Sequence, residues 1–206
     1  MCNLYRMTKN KDEVARWFDA VETLGGANYG EEVYPGTPGV VVAEGRLQAM
    51  NWGFPLQMTG KGGKPLKPKP VNNTRSEKLE SFFWRFSFEE RRCLIPVTAW
   101  AEAEGERGAK TRTWLSRPDA ELFACAGIWH HSDEWGDCYS MVMTESCGAA
   151  AGCHERMPVL LAQDDWGQWT SGALDEARAL CVPWEGPLRV GRTSEPWSGG
   201  GQTRLL

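Results

Sequence analysis

Apolar residues follow two periods along this chain, and the shorter one dominates. Alternating or short continuous apolar runs, bounded by turn residues, mark strands at 40–42, 47–52, 92–102, 111–116, 122–129, 138–144 and 157–161. Glu44-Gly45 forms the turn between the first two, and Tyr34-Pro-Gly-Thr37 is a further turn. Helical spacing is rarer. Asn10 and Glu13 stand in the N-cap and N3 relation, and Val14, Trp17, Phe18 and Val21 follow on one face, which predicts an amphipathic helix packed on the core. Thr74 and Glu77 have the same capping-box spacing ahead of Leu79, Phe82 and Phe83. A helix there would put Asn73 and Arg75 at its N-terminus, where free N–H groups favour an anion. Segments 163–169 and 174–180 also read as helical, and there are no internal repeats. Many short strands with few helices predict an α+β fold, in which curved antiparallel sheets form a barrel-like core flanked by short helices. A chain of 206 residues fits one domain, 1–206, with about 195–206 as a mobile polar tail.

Composition narrows the function classes. The net charge of −4 and pI near 5.5 lack the global signature of a nucleic-acid binder. Local charge differs: Lys61, Lys64, Lys67 and Lys69 share a Gly/Pro-rich stretch without an acid, either a solvated loop or a phosphate contact. Eleven tryptophans is a high count; some must be core, and exposed ones would serve as stacking platforms for unpaired bases. No apolar run approaches a membrane span, and the N-terminus lacks a secretory h-region, so a soluble cytoplasmic protein is expected. Seven cysteines without a CxxC pair argue against a disulfide framework and a structural zinc site. Cys147, Cys153 and His154 match no common zinc spacing, and no metal or cofactor is implied.

Cys2, directly after the initiator methionine, carries distinctive chemistry. Without Met1 it becomes a 1,2-aminothiol, whose amine (reference pKa about 7.7–8.0) and thiol (about 8.5) are both nucleophiles near neutrality. Such a pair captures an aldehyde as an imine, which the sulfur then closes to a thiazolidine. An internal cysteine has its nitrogen in an amide and cannot do this.

Four segments combine with that feature: Met1-Cys2, Asn73-Thr-Arg75-Ser-Glu77, the run from Arg92-Cys-Leu-Ile-Pro96 to Glu102, and Thr144 followed by His154-Glu-Arg156-Met-Pro158. In this order they resemble the SRAP family, the SOS response-associated peptidases or abasic-site processing proteins. Met50-Asn-Trp-Gly53 and Ala126-Gly-Ile-Trp129 add to the likeness, which runs from residue 1 to about 190. Asn3 stands where many members have Gly, Thr74 where Ala is usual, and Trp100-Ala101 replaces an aromatic pair ahead of Glu102, with Glu104 as the alternative acid.

The resemblance implies a protein that binds single-stranded DNA and cross-links Cys2 to the ring-opened aldehyde of an abasic site, after Met1 is removed by autoproteolysis or by an aminopeptidase. It implies Cys2, Asn73, Glu102 and His154 as catalytic residues. Glu102 would shuttle protons at the amine, Asn73 would hold the Cys2 backbone or the open sugar, and His154 would protonate the ring oxygen. Arg75, Arg156 and Thr144 would contact phosphates. Pro35, Trp52 and Trp84 are candidates to stack on or wedge between bases, with Arg85 as a further phosphate contact. Trp17 and Trp129 are expected in the core. The protein would act as a monomer, cytoplasmic and nucleoid-associated on damaged DNA, with no membrane partner. Two other classes remain open from the residues themselves: a thiol peptidase acting in trans, and a non-catalytic single-strand binder.

Overall fold

The computed structural model describes residues 2–197. Its strands, in chain order, are β1 (Tyr5–Arg6), β2 (Val21–Glu22), β3 (Glu32–Val33), β4 (Pro38–Ala43), β5 (Arg46–Trp52), β6 (Phe54–Thr59), β7 (Pro65–Val71) and β8 (Asn73–Arg75). There follow β9 (Arg92–Val97), β10 (Ala99–Glu104), β11 (Thr111–Ser116), β12 (Phe123–Ser132), β13 (Gly136–Glu145), β14 (Arg156–Pro158), β15 (Leu160–Leu161) and β16 (Arg189–Pro196). Five short helices flank them: α1 (Lys11–Trp17), α2 (Arg85–Glu90), α3 (Gly148–Ala151), α4 (Trp166–Ser171) and α5 (Leu174–Ala179). No helix among the described residues is long and apolar enough to cross a membrane.

Strands β13, β12, β9, β4 and β5 are hydrogen-bonded in that order, and β5 returns to β13 through Asn51↔Cys138 and Trp52↔Tyr139, closing a five-stranded barrel. Closure removes the free edges that an open sheet exposes. The barrel strands are apolar for most of their length because many of their residues are buried, as in β9, where all six are. One edge of β13 pairs with β12 and then β14, and the other with β5 and then β8, so this strand gathers segments from four parts of the chain. A second sheet, ordered β16-β11-β10-β1-β3, carries the amino-terminal strand next to β10.

A pair of tyrosines joins the two sheets. The hydroxyls of Tyr5 on β1 and Tyr139 on β13 lie 2.5 Å apart, and both residues are fully buried. Trp52 packs edge-on to Tyr5 and stacks with Tyr139. The two phenols can approach only because Gly39 faces them: a Cβ there would lie 2.1 Å from the Tyr139 oxygen and 2.3 Å from that of Tyr5.

The expected α+β fold with a barrel-like core and short flanking helices is the one observed. The Asn10 capping box is formed, with Glu13 N–H donating to Asn10 Oδ1 at 3.0 Å, and Glu44 and Gly45 both take positive φ in the β4–β5 turn. Other elements differ from expectation. Segment 92–102 is two strands in different sheets, broken at Thr98, not one. The lysine-rich loop is a hairpin of β6 and β7, with its turn at residues 60–64. No helix starts at Thr74. That residue lies in β8, its hydroxyl bonded to Ser140 at 2.8 Å, and a single 3-10 turn, Ser76–Lys78, follows. Asn73 therefore sits on a strand and not at a helix N-terminus. Trp17 is half exposed and Trp129 partly buried against the core. Residues 195 and 196 belong to β16, while 198–206 of the expected tail lie outside the described residues.

Replacing Gly39 by alanine should drive the tyrosine hydroxyls apart. A loss of about 1–3 kcal/mol is expected from overpacking, read as a lower urea midpoint at unchanged m-value. A variant as stable as the parent would show that the close approach is not constraining.

Candidate active site at Cys2

Cys2 is fully buried and is held through its carbonyl. Asn73 Nδ2 donates to that oxygen at 2.6 Å and Asn72 Nδ2 at 3.1 Å. The thiol donates to the Leu4 carbonyl at 3.4 Å. The backbone follows the β1–β10 pairing: Tyr5 is opposite Trp100, and Ala101 N–H donates to Leu4 O at 2.9 Å. This register brings Cys2 alongside Glu102. Burial, and next the Glu102 carboxylate, push the Cys2 thiol well above its usual range, so the sulfur is protonated at neutral pH.

Glu102 is nearly inaccessible, and burial pushes its carboxyl up to about 7. It can accept or return a proton near neutrality, which an exposed glutamate near its ordinary value cannot do efficiently. Glu104, the alternative acid, is ion-paired with Arg192 at 3.2 Å. His154 follows α3 in a tight loop. In the neutral ring His154 Nδ1 can accept from the Arg156 N–H at 2.9 Å, and the same nitrogen lies 3.2 Å from the Arg156 carbonyl, to which it can donate once protonated. Burial lowers the His154 pKa, which favours the neutral form. Its neighbour Cys153 has a thiol raised by burial, with Glu104 and, more weakly, Glu102 adding to it. The His154 loop therefore packs near the acidic end of β10.

A family model described as SOS response associated peptidase (SRAP) matches residues 1–194. The chain belongs to the SRAP family. It is 27% identical over 168 residues to a curated relative, the abasic site processing protein YMR114C of Saccharomyces cerevisiae, covering 79% of this chain. The chain spans 43% of that relative's length. Among solved structures, a protein from Bacteroides thetaiotaomicron superposes with a TM-score of 0.76 at 17% identity, over 93% of this chain and 91% of the other. One from Bordetella bronchiseptica gives 0.74 at 22% identity, over 93% and 99%. At such identities the structures show the shared fold.

The remaining expected residues of this SRAP chain divide by environment. Arg75 is exposed at the end of β8, two residues after Asn73, and Arg85 is exposed at the start of α2. Arg156 is already occupied, its guanidinium gripping Glu77 through two bonds of 2.9 and 2.7 Å. Thr144 is buried, and its hydroxyl donates to the Cys181 carbonyl at 3.2 Å. Trp52 is a core residue, not an exposed platform, and its indole N–H donates to the Asn72 carbonyl at 2.9 Å. Trp84 is likewise buried, against Phe54. Pro35 lines a cleft of about 700 Å3 together with Lys67, Pro68, Pro70 and Trp135. Asn72 and Trp135 were not singled out from the sequence. The Asn72-Asn73 doublet was the available signal for the first, and nothing local distinguishes Trp135. No three His, Cys, Asp or Glu side chains among the described residues converge as a metal site.

Glu102 makes stability depend on pH in a definite direction. Its folded pKa is raised, so the native state holds more protons between the ordinary 4.5 and about 7. Its stabilising contribution is present at low pH and is lost as pH rises through that window, on the order of 3 kcal/mol at about 1.4 kcal/mol per pKa unit. Urea titrations across the window should show this slope in the parent and its absence in Glu102→Gln. An equal slope in both would contradict the assignment.

Proposed function

We propose that this protein captures the aldehyde of abasic sites in single-stranded DNA as a covalent adduct on Cys2. One observation carries the reading: Cys2 is gripped by its carbonyl, beside a buried carboxyl that titrates near neutrality. Such an anchor leaves the amine and the sulfur for chemistry. The relative named as an abasic site processing protein supports the choice of substrate.

Hydrolysis of the Met1–Cys2 peptide bond, by the chain itself or by an aminopeptidase, consumes one water and frees the amine. In its protonated form, His154 gives a proton to the sugar ring oxygen as the C1′–O bond breaks, and it takes up the proton that the C1′ hydroxyl loses, leaving C1′ as the aldehyde. The neutral amine adds to C1′, and one water leaves to give an imine. Glu102 supplies the proton that the departing hydroxyl needs. The Cys2 sulfur then adds to the imine carbon, its proton passing to Glu102 and on to the ring nitrogen. The product is a thiazolidine, with no change in overall oxidation state. Arg75 and Arg85 provide charge for the flanking phosphates, and the cleft with Pro35, Lys67 and Trp135 offers a surface for a neighbouring base.

The test is a denaturing gel of processed protein mixed with an oligonucleotide carrying one abasic site. A heat-stable shifted band is expected for the parent and none for Cys2→Ala. Cys2→Ser keeps the amine but not the sulfur, so it should give a band only after borohydride reduction. A stable band with Cys2→Ala would overturn the proposal. Glu77→Ala should release Arg156 for phosphate contact and steepen the salt dependence of single-strand binding by about 0.7 in log K against log salt. An unchanged slope would exclude Arg156 from the DNA path.

A further inference from the structure

A processed N-terminal residue has three polar handles: its amine, its side chain and its carbonyl. If Cys2 reacts as proposed above, the first two are consumed, and only the carbonyl can be held from start to finish. Two side-chain amides converge on that oxygen, Asn73 Nδ2 at 2.6 Å and Asn72 Nδ2 at 3.1 Å. Asn73 belongs to the motif that marks the family, whereas Asn72 lies outside it. Asn72 Nδ2 also donates to Asn3 Oδ1 at 3.2 Å, and Asn3 is itself a departure from the glycine of many members. The Asn72 backbone is fixed from the other side, its carbonyl accepting the Trp52 indole N–H at 2.9 Å and Met141 N–H at 3.0 Å. Trp52 is wholly buried and packs on both Tyr5 and Tyr139. A continuous set of contacts thus runs from the barrel core to the reactive residue.

We propose that Asn72 is a positioning residue which, with Asn73, clamps the Cys2 carbonyl from two directions while Asn3 orients the Asn72 amide. This role rests on Cys2 being the reacting residue. The clamp fixes rotation about the Cα–C bond of Cys2, so amine and sulfur meet one incoming carbon in a single geometry. Two N–H dipoles pointing at the carbonyl also disfavour a positive charge on the adjacent nitrogen, which keeps more of the amine neutral. The other titratable groups that feel the Cys2 sulfur are Glu102 on β10, Cys125 on β12, Tyr5 on β1 and Tyr139 on β13. Substitution at residue 72 changes none of them.

The experiment uses processed full-length protein, with Cys2 confirmed as the first residue by intact mass. It is reacted with glyoxylate, a small aldehyde, and separately with an abasic single strand, across about pH 5 to 9, a span that covers the reference amine pKa. Asn72→Asp is nearly isosteric but replaces a donor with a carboxylate that stabilises the ammonium. The midpoint of its rate profile should move up by about one pH unit with both aldehydes. Asn72→Ala should slow capture of the abasic strand about tenfold through lost orientation, with affinity for an intact strand unchanged. Asn72→Gln should recover part of that rate.

An unmoved midpoint in Asn72→Asp would overturn the clamp, as would a rate loss in Asn72→Ala matched by an equal loss of affinity for the intact strand. Urea midpoints identify any unfolded variant, and the aspartate variant then carries the test. A parent that captures glyoxylate, shows the midpoint shift in Asn72→Asp and ignores the abasic strand would overturn the proposed function while leaving the clamp in place.

Discussion

The buried hydrogen bond between the Tyr5 and Tyr139 hydroxyls is the contact on which the site depends. It fastens a two-residue strand, β1, to the barrel three residues after Cys2. Short terminal segments are ordinarily the least ordered part of a domain. Here the cost of burying a hydroxyl without a partner, about 1–3 kcal/mol, opposes separation of the two phenols. Gly39 leaves the room, and Trp52 closes the space beside them. Residues 2–4 are thereby carried against β10 and β8 with little freedom.

The proposed chemistry follows from what surrounds that tether. Glu102 lies in β10 beside β1, and its burial brings a carboxyl close to neutrality. An aldehyde-capturing amine needs a partner that gives and takes protons in that same range. His154 stands in the loop before β14, its Nδ1 facing both the N–H and the carbonyl of Arg156, and in the proposed reaction it is the proton donor to the sugar. β13 connects these parts, with Tyr139 under the terminal strand, β8 with Asn73 on one edge and β14 after His154 on the other.

The barrel was legible in the sequence because two-sided burial produces the apolar runs of β4, β9, β12 and β13. The helix after Asn10 was legible because its cap is local. What failed to read had tertiary causes. Thr74 and Glu77 have capping-box spacing, yet Ser140 takes the threonine hydroxyl and Arg156 takes the glutamate, so the segment extends as a strand. The β6–β7 hairpin hides its strands behind Pro65, Pro68, Pro70 and lysines, since it forms a separate two-stranded sheet with few buried positions. Trp52 reads as a possible base platform, but its indole is spent on the Asn72 carbonyl. Cys2, Asn73, Glu102 and His154 were named through motif order rather than periodicity. Asn72 escaped because its role depends on a carbonyl seventy residues away in sequence.

The most direct test of the central claim is peptide mapping of the DNA adduct after nuclease and protease digestion, with iodoacetamide added beforehand. The account predicts a peptide that begins at Cys2, carries the sugar remnant less one water and has a Cys2 sulfur resistant to alkylation. A remnant on a lysine of the 61–69 hairpin, or a Cys2 sulfur that still alkylates, would contradict it.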